Sequence, residues 1–156
     1  MSKVVGRFNS DDVFKCYNEI VKPTIEKYSN IYWSVHSNGI LLREEHLDFF
    51  KENKVGLLIS LDGPKEVQDI NRLSKNGKSI FELVEKKIQM AKDKEIPLTV
   101  VSTFNEDSIL KIYDSYLYHM EKKNRFSFLF DVRESDYTKI WNKILKEFQR
   151  IAIDYA

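Results

Sequence analysis

The feature that most constrains this chain is the alternation of short strand-like runs with amphipathic helical segments. Four runs of apolar, β-branched and aromatic residues predict strands, and each is followed by apolar residues at helical spacing. The predicted strands are 31–35 (IYWSV), 55–60 (VGLLIS), 98–103 (LTVVST) and 126–132 (FSFLFDV). Strands joined by a helical crossover run in the same direction, which predicts a parallel sheet. The expected fold class is α/β.

Helices are predicted before, between and after these strands, whereas residues 65–78 are interpreted as irregular. The first predicted helix starts at Ser10 or Asp11 and kinks or ends at Pro23. The second spans 42–53, and the third runs from Ser79 to about 96. The fourth starts at Asn105, and the fifth runs from about Asp136 to Ile151. Val4 and Val5 are interpreted as an additional first strand. Because a closed barrel has eight units in ~250 residues, the sequence predicts a partial parallel (β/α) barrel of four to five β/α units, with one domain over 1–156.

Charge and cysteine content exclude several classes of protein. The chain has 25 Lys+Arg against 24 Asp+Glu, so there is no electrostatic basis for binding nucleic acid or an anionic membrane. Cys16 is its one cysteine, which excludes an internal disulfide and an iron–sulfur cluster held by this chain alone. No segment approaches the ~20 apolar residues of a membrane span, and none resembles a signal peptide. We therefore expect a cytoplasmic protein.

Polar side chains follow every predicted strand, and in α/β folds ligands bind outside the carboxyl ends of the strands. These residues are His36, Ser37 and Asn38, then Ser60 and Asp62, then Ser102 and Thr103, and finally Asp131 and Arg133. Their convergence favours a site for a polar ligand. Because turns use the same residue types, an ordinary set of surface loops remains an alternative.

The order and spacing of several motifs resemble the radical S-adenosylmethionine enzymes that modify peptides and proteins, such as the anaerobic sulfatase maturases. The motifs are the strand ends 37–39 (SNG) and 60–64 (SLDGP), an arginine at position 72, and the helix start 79–81 (SIF). Each motif alone has little specificity, but together they cover residues 30 to 105. The resemblance implies a partial barrel of this family that lacks the cluster-binding segment.

The resemblance also implies that S-adenosylmethionine is bound. Ser60 matches the serine that hydrogen-bonds the ribose of this cofactor, and Arg72 matches the arginine that pairs with its carboxylate. Asn38 matches a turn asparagine near the cofactor, and Val132 falls where an apolar residue packs on the adenine.

His36 and Asp62, at the same strand ends, are the candidates for contact with a peptide or protein substrate. His36 stands where the family commonly has glutamine. The family's CxxxCxxC motif is absent, and residues 4–9 (VVGRFN) lack the glutamate that would receive the methionine ammonium. We therefore expect no iron–sulfur cluster on this chain and weak binding of S-adenosylmethionine.

Two functions remain after these observations. The first is the S-adenosylmethionine-binding barrel portion of a radical peptide- or protein-modifying enzyme. In this case the chain is truncated or degenerate and not catalytically competent alone, so whether it is an enzyme stays open. The second is a non-catalytic half-barrel that binds a peptide or associates with itself. Exposed strand edges and an uncovered, apolar inner face of the sheet predict a homodimer, unless the last helix, 137–151, folds over that face.

Overall fold

The computed structural model describes residues 10–28, 31–131 and 137–155. Within them, four strands alternate with α-helices, as the sequence pattern predicts. The strands are β1 (Ser34–Ser37), β2 (Gly56–Ser60), β3 (Leu98–Phe104) and β4 (Phe126–Phe130). The helices are α1 (Ser10–Cys16), α2 (Lys22–Lys27), α3 (Glu44–Glu52), α4 (Lys65–Asn71), α5 (Phe81–Asp93), α6 (Ile112–Glu121) and α7 (Trp141–Tyr155).

The four strands form one sheet in the order β1-β2-β3-β4, and every pair is parallel. The expected α/β class is therefore confirmed. In β2, Leu57 and Ile59 face the helices and are fully buried, while Leu58 lies on the opposite face. Apolar residues on both faces explain why this strand has no alternating pattern.

Helices cover one face of the sheet over two hydrophobic clusters. The first cluster joins β2 and β3 to α3 and α5 and contains Leu47, Phe50, Leu57, Ile59, Val84, Ile88 and Val100. The second joins the end of β3 to α4, α6 and α7 and contains Val67, Phe104, Ile109, Ile112 and Ile144. The Phe104 ring meets the Phe128 ring edge-on with centroids 5.4 Å apart. Both clusters hold described helices against the same face of the sheet.

Helix α7 packs on the helix side of the sheet, so the idea that it covers the inner face is wrong. Its Ile144 is buried in the second cluster, and its Arg150 guanidinium lies 3.7 Å from the centre of the Tyr113 ring on α6. The inner face of the described sheet carries Leu58, Val101 and Leu129 beside His36, Ser60, Thr99, Thr103 and Ser127. This face is a mixture of polar and apolar groups, in contrast to the apolar face that was expected.

Several boundaries differ from the sequence-based prediction. Residues 65–71, expected to be irregular, form α4 after Pro64, whose φ of −63° suits the position before a helix. Only two residues of this short helix are buried, which is too few to reveal a helical period. Pro23 does not end the first helical region, because a wider π-helical turn, Tyr17–Val21, precedes it and helix continues to Lys27.

Helix α6 buries a polar residue and exposes two apolar ones. Leu117 and Met120 are exposed, whereas His119 is fully buried. Val4 and Val5 lie outside the described residues. Among the described helices, none has the length and hydropathy to cross a bilayer.

Candidate functional site

Two predicted site residues meet at the ends of β1 and β2. The register pairs His36 with Leu58, which puts the His36 side chain on the inner face together with that of Ser60. The Nε2 atom of His36 lies 3.2 Å from Ser60 Oγ, within hydrogen-bonding distance. Ser60 is buried and His36 is exposed. The pair forms a hydroxyl and imidazole at the rim of the inner face.

Asp62 and Arg72 form the second pair. The Arg72 Nε donates to Asp62 Oδ2 at 2.8 Å, and the backbone N–H of Thr103 donates to Asp62 Oδ1 at 2.8 Å. The Asp62 side chain has no exposed surface, while a quarter of the Arg72 side chain is exposed. Asp62 follows Ser60 by two residues, so this contact brings the Arg72 guanidinium to the edge where Ser60 lies.

The end of α4, next to Arg72, is tied to the loop after β3. Asn71 Nδ2 donates to Ser108 Oγ at 2.9 Å, and Asn105 Nδ2 donates to Asn71 Oδ1 at 2.9 Å. Asn105, expected to cap a helix, accepts the backbone N–H groups of Asp107 and Ser108 through Oδ1. These bonds hold the end of α4, where Arg72 lies, against the loop at the carboxyl end of β3.

The other predicted residues lie elsewhere along this edge. Asn38 is exposed after β1, and its Oδ1 accepts the N–H of Ile40 at 3.2 Å in a local turn. At the end of β4, the Tyr137 hydroxyl reaches the carbonyls of Phe104 and Asp131 at 3.0 and 2.8 Å. Val132 and Arg133 lie outside the described residues. The cofactor and substrate roles of the predicted residues stay predictions.

Metal ligands are scarce in the described part of the chain. Residues 10–28, 31–131 and 137–155 contain no group of three His, Cys, Asp or Glu side chains that could hold a metal ion. Cys16 is a free, half-buried residue of α1. The donors at the strand-end edge are hydroxyl, imidazole and guanidinium groups, which suit a polar organic ligand.

A buried histidine, His119, lies on the helix side of β3. Ser102 Oγ donates its proton to the Leu61 carbonyl at 3.0 Å. It therefore accepts a hydrogen bond from Nε2 of His119, which is 2.9 Å away. The Nδ1 of His119 faces the Asn124 amide nitrogen at 3.1 Å. This network requires a neutral imidazole with its proton on Nε2. It joins the β2 loop to α6 and contributes to positioning the edge.

We predict that acid weakens the fold through His119. Burial, followed by the charge of Lys92, lowers the pKa of His119 from 6.5 to about 4. The imidazole therefore binds a proton more readily in the unfolded chain than in the folded one. For this reason the free energy of unfolding should fall by up to about 3 kcal/mol as pH drops from about 6.5 to about 4. Urea unfolding of wild type and His119→Gln across this pH range measures the difference.

The wild-type chain should lose more stability than His119→Gln, because only the wild type carries this imidazole. An NMR titration of the His119 ring gives a second measurement on the unmodified chain. Equal pH slopes for the two proteins, or a ring that titrates near 6.5, would contradict the prediction.

A shallow cleft of about 410 Å³ lies between α5 and α6, away from the strand ends. Its lining includes the charged residues Glu82, Glu85, Lys86, Lys92 and Lys122. Glu85 is already bonded to Tyr118 and Lys122, at 3.0 and 2.9 Å. Because the cleft is on the outer side of the helical layer, it is not part of the strand-end edge.

Comparison with curated proteins finds anaerobic sulfatase-maturating enzymes, although no family model matches. The cysteine-type enzyme of Clostridium novyi is 30% identical over 118 residues, which are 76% of this chain and 31% of that protein. The cysteine-type enzyme of Clostridium perfringens is 24% identical over 166 residues, with coverage of 92% and 45%. The serine-type enzyme of Bacteroides thetaiotaomicron is 34% identical over 85 residues, with coverage of 53% and 20%.

Solved structures have the same fold over most of this chain. Native anSMEcpe with bound AdoMet superposes with a TM-score of 0.76 and 24% identity, covering 94% of this chain and 43% of that one. Native anSMEcpe with bound AdoMet and the Cp18Cys peptide gives a TM-score of 0.71 and 25% identity, with coverage of 86% and 40%. The expected partial parallel (β/α) barrel is confirmed by these likenesses.

The chain spans less than half the length of these curated relatives, 31% and 45% for the two clostridial enzymes. The similarity in sequence agrees with the similarity in fold. The resemblance drawn from the sequence motifs is therefore confirmed: the homologues of this chain include the anaerobic sulfatase-maturating enzymes, which are radical S-adenosylmethionine proteins.

Proposed function

We propose that this chain supplies the S-adenosylmethionine-binding part of a radical enzyme that modifies a peptide or protein. The observation that carries the proposal is the pairing of Arg72 with Asp62, two residues beyond Ser60. This pairing brings a guanidinium and a hydroxyl to the same edge of the sheet. The relatives' solved structures contain AdoMet, in one case with a peptide, which supports this choice of ligand.

Each residue has a chemical role in the proposal. Ser60 exchanges hydrogen bonds with the ribose hydroxyls, since its Oγ both donates and accepts. Arg72 holds the cofactor carboxylate through its two terminal nitrogens, which the bond to Asp62 through Nε does not use. In this proposal Asn38 contacts the adenosyl group and His36 contacts the peptide, while the adenine contact of Val132 is implied by the resemblance alone.

The [4Fe-4S] cluster of radical S-adenosylmethionine enzymes does not fit the residues of this chain. Such a cluster takes three cysteine thiolates in the family motif, and the sequence contains one cysteine. We therefore assign only binding and orientation of the cofactor to these 156 residues, and no radical chemistry to them alone.

Binding of S-adenosylhomocysteine tests the proposal. Calorimetry should show weak binding by wild type, with a Kd near the millimolar range, and about tenfold weaker binding by Arg72→Ala, because a charge-assisted bidentate contact is lost. Ser60→Ala should also weaken binding. Arg150→Ala is the matched control, since Arg150 stacks on Tyr113 between α6 and α7. No binding at millimolar ligand, or equal affinity of Arg72→Ala and wild type, would reject the proposal.

A self-associating half-barrel is the second candidate, favoured by an exposed apolar residue on the inner face of the described sheet. Leu129 on this face is 40% exposed, and β1 and β4 are the edges of the described sheet. A symmetric dimer would use the same surface of both copies. Sedimentation equilibrium at micromolar concentration should then give a dimer mass that Leu129→Lys shifts to monomer. A monomer mass for wild type would reject self-association.

A further inference from the structure

Asp62 lies beneath the proposed cofactor site and is enclosed by protein. Its Oδ1 accepts the Thr103 backbone N–H and its Oδ2 accepts the Arg72 Nε–H, both at 2.8 Å. The side chain has no exposed surface, so a ligand arriving from solvent does not reach the carboxylate. This enclosure favours a role for Asp62 through Arg72 over the direct substrate contact that the sequence predicts.

Arg72 is held from several directions. Its backbone N–H donates to the Gln68 carbonyl at 2.9 Å, and the Gln68 side chain accepts the Asp62 backbone N–H through Oε1 at 2.8 Å. Gln68 thus joins the loop after β2 to the end of α4. The neighbouring Asn71 is bonded to Ser108. With the backbone fixed in this way, the bond to Asp62 determines the direction of the guanidinium.

The geometry of this pair leaves a defined edge of Arg72 for a ligand. A guanidinium has five N–H donors, one on Nε and four on the terminal nitrogens. The Nε–H is engaged by Asp62, and the partly exposed side chain presents its terminal nitrogens beyond that bond. A carboxylate accepts two parallel N–H bonds from such an edge, which is the strongest form of this contact.

We infer that Asp62 is a positioning residue that orients Arg72 to bind the carboxylate of an adenosyl amino acid. This inference rests on the proposed function. It predicts that Asp62 affects binding only of ligands that carry the carboxylate. Asp62→Asn is the informative variant, because one of the two acceptor positions becomes an NH2 group, which leaves either the Thr103 N–H or the Arg72 Nε–H facing a donor.

The experiment compares S-adenosylhomocysteine with 5′-methylthioadenosine, which has the adenosine but lacks the amino acid. In Asp62→Asn, affinity for S-adenosylhomocysteine should fall about tenfold, whereas affinity for 5′-methylthioadenosine should not change. Adding Asp62→Asn to Arg72→Ala should cause no further loss. Asp69→Asn is the matched control: it lies on α4 and its carboxylate also has two partners, Ser79 and Lys65. It should keep the wild-type ratio of affinities.

The outcomes separate this inference from the proposed function. Failure of wild type to bind either compound rejects both. Wild-type binding that depends on Arg72, with an unchanged affinity ratio in Asp62→Asn, rejects this inference alone. If Asp62→Asn does not fold, the Arg72 Nε–H resonance of wild type decides: slow solvent exchange without ligand supports the inference, and fast exchange overturns it.

Discussion

Gly63→Ala should lower the free energy of unfolding by about 4 kcal/mol, because it adds backbone strain to a steric clash. Gly63 has a φ of +152°, a conformation that L side chains rarely adopt. An added Cβ would overlap Ser115 Oγ and lie 3.1 Å from Ser115 Cα, on the buried side of α6. Since a domain has only about 5–15 kcal/mol of stability, urea unfolding should show a large decrease or no folded protein.

Gly77→Ala is the matched control for this prediction. Gly77 also has a positive φ, +71°, but an added Cβ meets nothing within 4 Å. This variant should cost about 1 kcal/mol, the contribution of backbone conformation alone. Ser115→Gly should recover part of the loss in Gly63→Ala, because it removes the overlapping hydroxyl. Equal costs for the two alanine variants would contradict the steric account of Gly63.

Phe104→Ala should cost about 4 kcal/mol by leaving a cavity in the second hydrophobic cluster. The ring is fully buried at the end of β3 and packs with Ile112 and Ile144. Since Ile144 is the buried anchor of α7 on the described sheet, hydrogen exchange of α7 amides should accelerate along with the loss of stability. Urea unfolding and amide exchange measure the two effects.

Phe148→Ala provides the comparison for Phe104→Ala. Phe148 is on the same helix as Ile144, is 37% exposed, and meets the Phe130 ring with centroids 6.0 Å apart. Its loss should cost about 1 kcal/mol, since less apolar surface returns to water. A Phe104→Ala variant as stable as Phe148→Ala would show that α7 does not depend on this cluster.

The strands and the parallel topology could be predicted because they depend on local composition and on the length of the crossovers. The run 55–60 is apolar on both faces, as buried parallel strands are. The face of the sheet on which the last helix packs could not be predicted. An apolar stripe shows that a helix is covered, but not by which face of the sheet. The position of this helix depends on contacts of Ile144 with residues distant in sequence.

The site was predictable only in part. Ser60 and Arg72 were proposed from the order of motifs, but their connection through Asp62 depends on α4, a helix whose short length hides its period. His119 was not among the predicted site residues. Its position in line with Ile112 and Tyr116 on α6 was a signal of burial, because residues at this spacing share one helical face.

The most direct test of the account is an NMR titration of the ¹⁵N-labelled chain with S-adenosylhomocysteine. We expect chemical-shift changes concentrated at the strand ends, in the backbone amides of Ser60 and Thr103 and in the Arg72 side chain. Glu85 and Lys92, which line the cleft between α5 and α6, should not shift. Shifts centred on that cleft, or no shifts at millimolar ligand, would contradict the assignment of the strand-end edge as the cofactor site.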